Sequence, residues 1–335
     1  MTPDIRHTVL AAIAQDKSNV AARLADLHHV TRQSASAWLT KLKREGVITA
    51  SGAGRGICYQ LVPLVHLRRI YARSNLHEDR VWREVIAPSV QDLPANVRDI
   101  WHYATTEIVN NAIDHSQAKE VMVVLLRDAL NTTVYVVDNG EGIFSKIQRA
   151  LNLFDPRDAI LEIAKGKLTT DPVHHTGDGI FFVSKVMDDL NIYCDKLNFM
   201  HCDMGVDMLL EGIKGGPGTK ILMRLVNNST RNLQSVFDQF AVAGEPAFAK
   251  TIVPVRLAQH EGEQLVSRSQ GKRLTMRFDQ FKVVILDFDG VKEIGQAFAD
   301  QVFRVFQQLH PTTKLVPIHM TECVENVYRR VIKQS

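Results

Sequence analysis

Between residues 105 and 115 the sequence reads TEIVNNAIDHS, with a Glu, two Asn, an Asp and a His set among apolar residues. Glu107 and Asn111 are four apart, so on a helix they share one face, and Asp114 lies three beyond Asn111. Ile108, Ala112 and Ile113 supply a different, apolar side. A carboxylate accepts hydrogen bonds and takes up protons, and a carboxamide both accepts and donates. Such groups on an otherwise apolar helix predict a buried element with one face open to a polar pocket.

Other elements must complete that pocket. EVMVVLL and TTVYVVDNGEGI read as two strands around a turn near DALN, with Asp138 at the end of the second strand, followed by Gly140 and Gly142. HHTGDGIFFVSKVMDDL places Gly177 and Gly179 at the start of a helix. GGPGTKILMRL places Thr219 at the entry to another strand. Each piece alone is no more than a turn signal; four in fixed order form a pattern.

That order resembles the GHKL ATPases, the family of gyrase, histidine kinases and anti-sigma-factor kinases. ExxxNAID is similar to the family's Asn box, DNGEGI to its first Gly motif, TGDGI to its second, and GGPGTKI to the Gly-Thr segment near the adenine. The resemblance implies a Bergerat-type α/β sandwich over roughly residues 76–228, a mixed sheet backed by helices, with ATP under a mobile lid. It implies that Asn111 coordinates Mg²⁺ bridging the phosphates. Glu107, one turn earlier, is implied to orient or deprotonate the attacking water. Asp138 is implied to accept a hydrogen bond from the adenine amino group. Gly140 and Gly142 would admit the nucleotide close to the backbone, and Gly177 and Gly179 would offer N–H groups to phosphate. Asp114, Ile143, Asp178 and Thr219 fall within the same motifs and are implied to belong to the nucleotide site. The stretch from Phe144 to His175 is then the lid, with Lys165 or Lys167 on the phosphates. The alternative for these residues is a buried polar network that only fixes packing. No GxxxxGK[ST] motif is present.

The chain departs from the family in ways that bear on function. The second Gly motif is short, and no dimerisation helix with a phospho-accepting His precedes the Asn box. His102 lies on the run-in to the polar helix, and His115, His174 and His175 read as local hydrogen-bonding groups. Histidine-kinase activity is disfavoured.

A chain of 335 residues accommodates two or three domains, and 45% hydrophobic with 23% charged residues is ordinary for a globular protein. A net charge of +3 requires any basic footprint to be local. Four scattered Cys without a CxxC pair argue against a disulfide framework or zinc site and for a reducing, cytoplasmic setting. No membrane-spanning stretch is expected.

Residues 1–65 read as helices followed by a hairpin. Thr31 is the expected N-cap and Gly46 the expected stop of a helix with Trp38, Leu39 and Leu42 facing the core. Arg32, Gln33, Ser34 and Ser36 lie at its outward start, and Arg55 sits in a Gly-rich turn between two strands. This resembles a winged helix-turn-helix domain, which implies that the helix enters the major groove of duplex DNA while Arg55 reaches a phosphate or the minor groove. The alternative is a helical protein-interaction module. Residues 66–95 are expected to form a helical connector, from the helical spacing of Leu67, Ile70 and Tyr71.

Residues 229–248 read as a linker and 249–335 as a last α/β domain. VVILDFDGV imitates a haloacid-dehalogenase phosphatase motif, but fewer than fifty residues follow Asp289, too few for that fold. Strand KVVILDF, a turn at Asp289-Gly290, helix GQAFADQVFRVFQQL, strand KLVPIHM and a final helix resemble a STAS-like domain, with SRSQGKR (267–273) as a polar loop ahead of it. In anti-sigma systems such a domain takes phosphate on a Ser after the strand-turn; here Gly295, Gln296 and Ala297 stand there, without a hydroxyl. The combination implies an α/β multidomain prokaryotic transcription regulator that binds ATP and Mg²⁺ and, through its winged helix, duplex DNA, with a possible regulatory protein partner at the STAS-like domain. The alternatives are an anti-sigma-type Ser/Thr protein kinase acting on a separate partner, and an ATP-gated interaction scaffold.

Overall fold

The computed structural model of the chain describes residues 1–168, 177–202, 208–211, 216–245, 248–260 and 263–333. His174 and His175 lie outside the described residues, as do Thr176 and Gly215 of the Gly-rich motifs. Three helices open the fold: α1 (Pro3–Gln15), α2 (Val20–His28) and α3 (Arg32–Arg44). Thr31 caps α3, its hydroxyl accepting the Ser34 N–H at 3.1 Å. The helix ends where Gly46 turns left-handed, at φ 75°. Strands β1 (Ile48–Ser51) and β2 (Cys58–Leu61) then pair as an antiparallel hairpin. Val9, Leu10, Ile13, Val20, Leu24, Leu39 and Leu42 form a separate core, which Leu130 joins from the middle of the chain.

The connector departs from the sequence reading. Residues Val65–Ala72 form a strand, β3, not a helix. Leu67 and Tyr71 turn inward while Ile70 is exposed on the other side. The spacing that imitates a helix is therefore split between two faces of a strand. Helical turns α4 (Glu78–Val81) and α5 (Ala87–Val90) flank a π turn at Trp82–Ile86. After Pro94 comes the long helix α6 (Ala95–His115), which carries the polar motif.

Then follow β4 (Glu120–Arg127), β5 (Asn131–Asp138), α7 (Ile143–Ala150), α8 (Asp158–Lys165), α9 (Gly179–Val186), β6 (Asp189–Cys194), β7 (Leu197–Cys202), β8 (Met208–Glu211), β9 (Lys220–Val226) and α10 (Leu233–Gln239). Strands β3 to β9 build one seven-stranded sheet, in the order β3-β4-β5-β9-β6-β7-β8. Every neighbouring pair in it is antiparallel. The mixed sheet implied by the family resemblance is thereby corrected: hairpins join β4 to β5 and β6 to β7, and β9 runs antiparallel to both neighbours. Helices α6 and α9 pack on the sheet and on each other. Ile100, Trp101, Ala104 and Ile108 are buried with Val121, Val123, Val134 and Val136, and each Ile or Val side chain contributes about 1.5–3 kcal/mol on full burial.

Residues 229–248, read as a linker, hold α10, and their Val236, Phe240 and Phe248 are buried in the same core. The last part comprises β10 (Lys250–Pro254), α11 (Arg268–Thr275), β11 (Val283–Asp287), α12 (Gln296–Ala299), α13 (Phe306–Leu309), β12 (Lys314–Ile318) and α14 (Glu322–Lys333), with a π turn at Asp300–Val305 between α12 and α13. Its three strands are parallel, in the order β10-β11-β12. SRSQGKR is not a loop but the start of α11. Ser267 accepts the Gln270 N–H at 3.2 Å and Gln270 Oε1 accepts the Ser267 N–H at 2.9 Å, a reciprocal cap. Phe298, Val302, Phe303 and Phe306 are buried, as their helical stripe predicts. The cysteines are free. Among the described residues no helix is long and apolar enough to cross a membrane.

Candidate functional site

The loop after β5 is fastened to the C-terminal end of α6. Asn139 Oδ1 accepts the N–H groups of Lys119 at 3.0 Å and Glu120 at 3.1 Å. The Glu141 N–H donates to the Ser116 carbonyl at 2.7 Å. Gly140 lies so close to that carbonyl that an added Cβ would sit 2.0 Å from it. A residue with a side chain would prise the loop from the helix. These contacts bring the DNGEGI and Asn motifs together.

Between α6, β5, β9, α7 and α9 lies a cavity of about 310 Å³, lined by Glu107, Asn111, Asp138, Ile143, Gly177, Gly179 and Thr219 from the sequence-predicted set. That is at the low end of roughly 300–1,000 Å³ for ligand pockets. Asp138 is buried, and its Oδ1 accepts the Gly140 N–H at 2.9 Å and the Thr219 N–H at 3.3 Å. Burial raises its carboxyl above the usual range, and these two N–H groups and the Thr219 hydroxyl work against that rise. The Thr219 hydroxyl is a third donor to the carboxylate, which also lies in the cavity wall. Thr219 Oγ1 accepts the Ile143 N–H at 3.0 Å and so caps α7 from a different strand.

Glu107 lies against the first turn of α9: a Cβ on Gly179 would meet Oε2 at 2.1 Å. A side chain there would push the carboxylate out of this position. Tyr103, one turn before, has its phenol pushed up by burial and then by the charges of Glu107 and Asp178.

The structure leaves other predicted residues out of the cavity wall. Gly140 and Gly142 shape the loop behind it, Asp114 is exposed at the end of α6, and Asp178 lies between Gly177 and Gly179. Lys165 points away. It is fully buried and its ammonium donates to Glu162 at 2.5 Å, the Met276 carbonyl at 2.9 Å and the Arg273 carbonyl at 3.2 Å. Lys167 donates to the Gln280 carbonyl at 2.8 Å and lies over the Phe281 ring. Neither lysine is placed to reach a ligand in the cavity.

Sequence reasoning missed the cation that is there. Lys146 is the only Lys or Arg among the described lining residues. Its ammonium donates to the His115 carbonyl at 2.8 Å, and burial lowers its pKa while Glu141 acts to raise it. Its spacing of three from Ile143, which also lines the cavity, puts the two on one face of α7 and was the available signal. His115 and Glu141 line the same wall.

In the N-terminal unit, Arg32, Gln33, Ser34 and Ser36 are all exposed at the start of α3, and the Ser34 hydroxyl pairs with that of Thr31 at 3.0 Å. Arg55 lies in the turn at Gly54–Gly56 between β1 and β2, and its side chain lies outside the described residues.

The family described as STAS-like domain of unknown function (DUF4325) matches residues 270–325. The match runs from the body of α11 to the start of α14 and takes in β11, β12 and the helix between them. Residues 270–325 are thus a STAS-like domain. Strand β10, which pairs with β11, precedes the matched segment. No curated protein matches the chain.

Proposed function

We propose that the chain is an ATP-binding, ATP-hydrolysing transcription regulator in which a GHKL-type domain controls a DNA-binding winged helix and the STAS-like domain. The observation that carries this reading is convergence: Glu107, Asn111, Asp138, Gly177, Gly179 and Thr219, spread over 113 positions, line one cavity. A packing network alone would have no reason to surround an open space with acceptor groups and glycine backbone.

The donor set suits a nucleotide with a hard cation. The Asp138 carboxylate, an acceptor beside Ile143 and Ile221 in the cavity wall, suits an exocyclic amine on a flat base. Asn111 would hold Mg²⁺ through its carboxamide oxygen, and Mg²⁺ would spread the phosphate charge. Glu107, fixed against Gly179 one turn before Asn111, would orient the water. With Lys165 and Lys167 turned away, Lys146 takes the role of the cavity's positive charge. Exposed Arg32, Gln33 and Ser36 on α3, with the β1–β2 turn carrying Arg55, fit duplex DNA in the winged-helix manner. A mobility-shift assay of the full chain on a pool of duplex fragments, with and without Mg·ATP, tests the whole reading. We expect a salt-sensitive complex whose affinity changes with nucleotide. Absence of any complex at low salt would overturn the DNA half.

A further inference from the structure

Helix α8 faces two ways. Ile163 and, just beyond its end, Leu168 line the cavity. Asp158, Glu162 and Lys165, at positions i, i+4 and i+7, share a face that is ordinarily solvated. Here all eight residues of the helix are buried, and the charged face is turned to the C-terminal domain.

The contacts there are specific. Arg277 donates to Glu162 Oε2 at 2.8 Å, to the Gly166 carbonyl at 2.7 Å and to the Lys167 carbonyl. Lys165 completes the group through Glu162, the Arg273 carbonyl in α11 and the Met276 carbonyl just after it. Thr251 on β10 donates to the Lys165 carbonyl at 2.8 Å. At the other end of α8, Asp158 meets His260 at 3.0 Å and Arg273 at 3.3 Å. A second link is aromatic. Phe181, in the cavity wall, lies 4.7 Å between centroids from Phe248, which lies 5.5 Å from Phe281 at the foot of β11.

Buried ion pairs are poor stabilisers compared with apolar packing, yet removing one partner is severe because it strands a charge. A helix whose position depends on such a network has one well-defined docked place. We propose that α8 is a latch through which the STAS-like domain sets the shape of the cavity, so that docking of that domain and occupancy of the cavity are coupled within one chain. The ligand named here, Mg·ATP, rests on the functional reading above; the latch itself rests on the contacts just given. Coupling is reciprocal: if docking changes ligand affinity, the ligand must change docking.

Hydrogen exchange on the full chain tests this without a ligand. In Arg277→Gln, and separately in Glu162→Gln, we expect the amides of residues 160–168 and 177–181 to exchange faster by about tenfold or more, with α1 to α3 and β4 to β5 unchanged as the measure of intact folding. Wild-type protection of the cavity wall in both variants would overturn the latch. If either variant loses protection throughout, the charge-neutral pair Glu162→Gln with Lys165→Met, which leaves Arg277 donating to backbone carbonyls, decides in the same way. A second arm adds Mg·ATP. We expect slower exchange over residues 268–280 in the wild type and not in Arg277→Gln, together with a several-fold loss of ATP affinity in the variant. Binding of ATP with no response in 268–280 contradicts the coupling. Failure of the wild type to bind ATP contradicts the choice of ligand instead, while the first arm still decides the latch.

Discussion

Replacing Asp138 by Asn separates what the carboxylate does for the fold from what it does for the ligand. The Asn Oδ1 can still accept the Gly140 and Thr219 N–H groups at 2.9 Å and 3.3 Å. Burial raises the carboxyl pKa, so ionisation costs more in the folded chain than in the unfolded one. The sign of the linkage follows. An acid whose folded pKa lies above its unfolded value adds stability at low pH, and that stability is lost as pH rises through the window between the two values. At neutral pH Asp138 therefore works against folding, and a neutral isostere removes that opposition. We expect Asp138→Asn to hold or raise the melting temperature by about 0–4 °C. The effect on ATP should be opposite. Oδ2, an acceptor, becomes an N–H₂ donor facing the donor amine of the base. Losing a hydrogen bond to a charged group costs about 1.5–3 kcal/mol, or roughly 10- to 100-fold in affinity. Asp138→Ala loses binding too, but also strands two backbone N–H groups, at about 2 kcal/mol and several degrees of melting temperature. Thermal unfolding and titration calorimetry on the three proteins give both readouts. A destabilised Asp138→Asn, or one that binds ATP as tightly as wild type, would refute the reasoning.

Glu107→Ala should leave Mg·ATP binding within about threefold and slow phosphate release by at least ~10²-fold, because a water-orienting carboxylate acts mainly in the transition state; unchanged turnover removes it from catalysis. Arg32→Ala with Gln33→Ala should erode sequence preference on DNA, whereas Arg55→Ala should weaken all sequences alike and reduce the salt slope by about one, as read by binding isotherms at several salt concentrations. After incubation with Mg·ATP, intact-mass analysis should show no phosphate on residues 249–335, since residues 294–299 carry no hydroxyl and Ser267 is committed to the α11 cap; a gain of one phosphate there favours the protein-kinase alternative.

The polar helix was legible because Glu107 and Asn111 stand out from an apolar helical repeat, and the strand ends at Asp138 and Thr219 because glycine punctuates them. Secondary structure of the STAS-like part followed from the continuous apolar run VVIL, as befits a central parallel strand, and an apolar stripe in the helix after it. The misreadings have physical causes. In β3, Ile70 sits exposed on the outer side of an edge strand and by chance completes a helical spacing with Leu67 and Tyr71. In α11, Ser267, Ser269 and Gly271 read as loop, but Gly271 packs directly on the Gln301 side chain and the serine is a cap. Lys165 and Lys167 read as phosphate contacts from the sequence only because they fall in the stretch implied to be the lid. Their partners, Glu162 and carbonyls more than a hundred residues away, are set by tertiary docking that no local pattern reports.

The most direct measurement of the central claim is calorimetric titration of Mg·ATP into the full chain and into Asn111→Ala. We expect saturable binding at one site per chain, dependent on Mg²⁺, competed by ADP and lost or weakened at least about tenfold in the variant. No heat of binding to the wild type, or binding that is indifferent to both Mg²⁺ and Asn111, would contradict it.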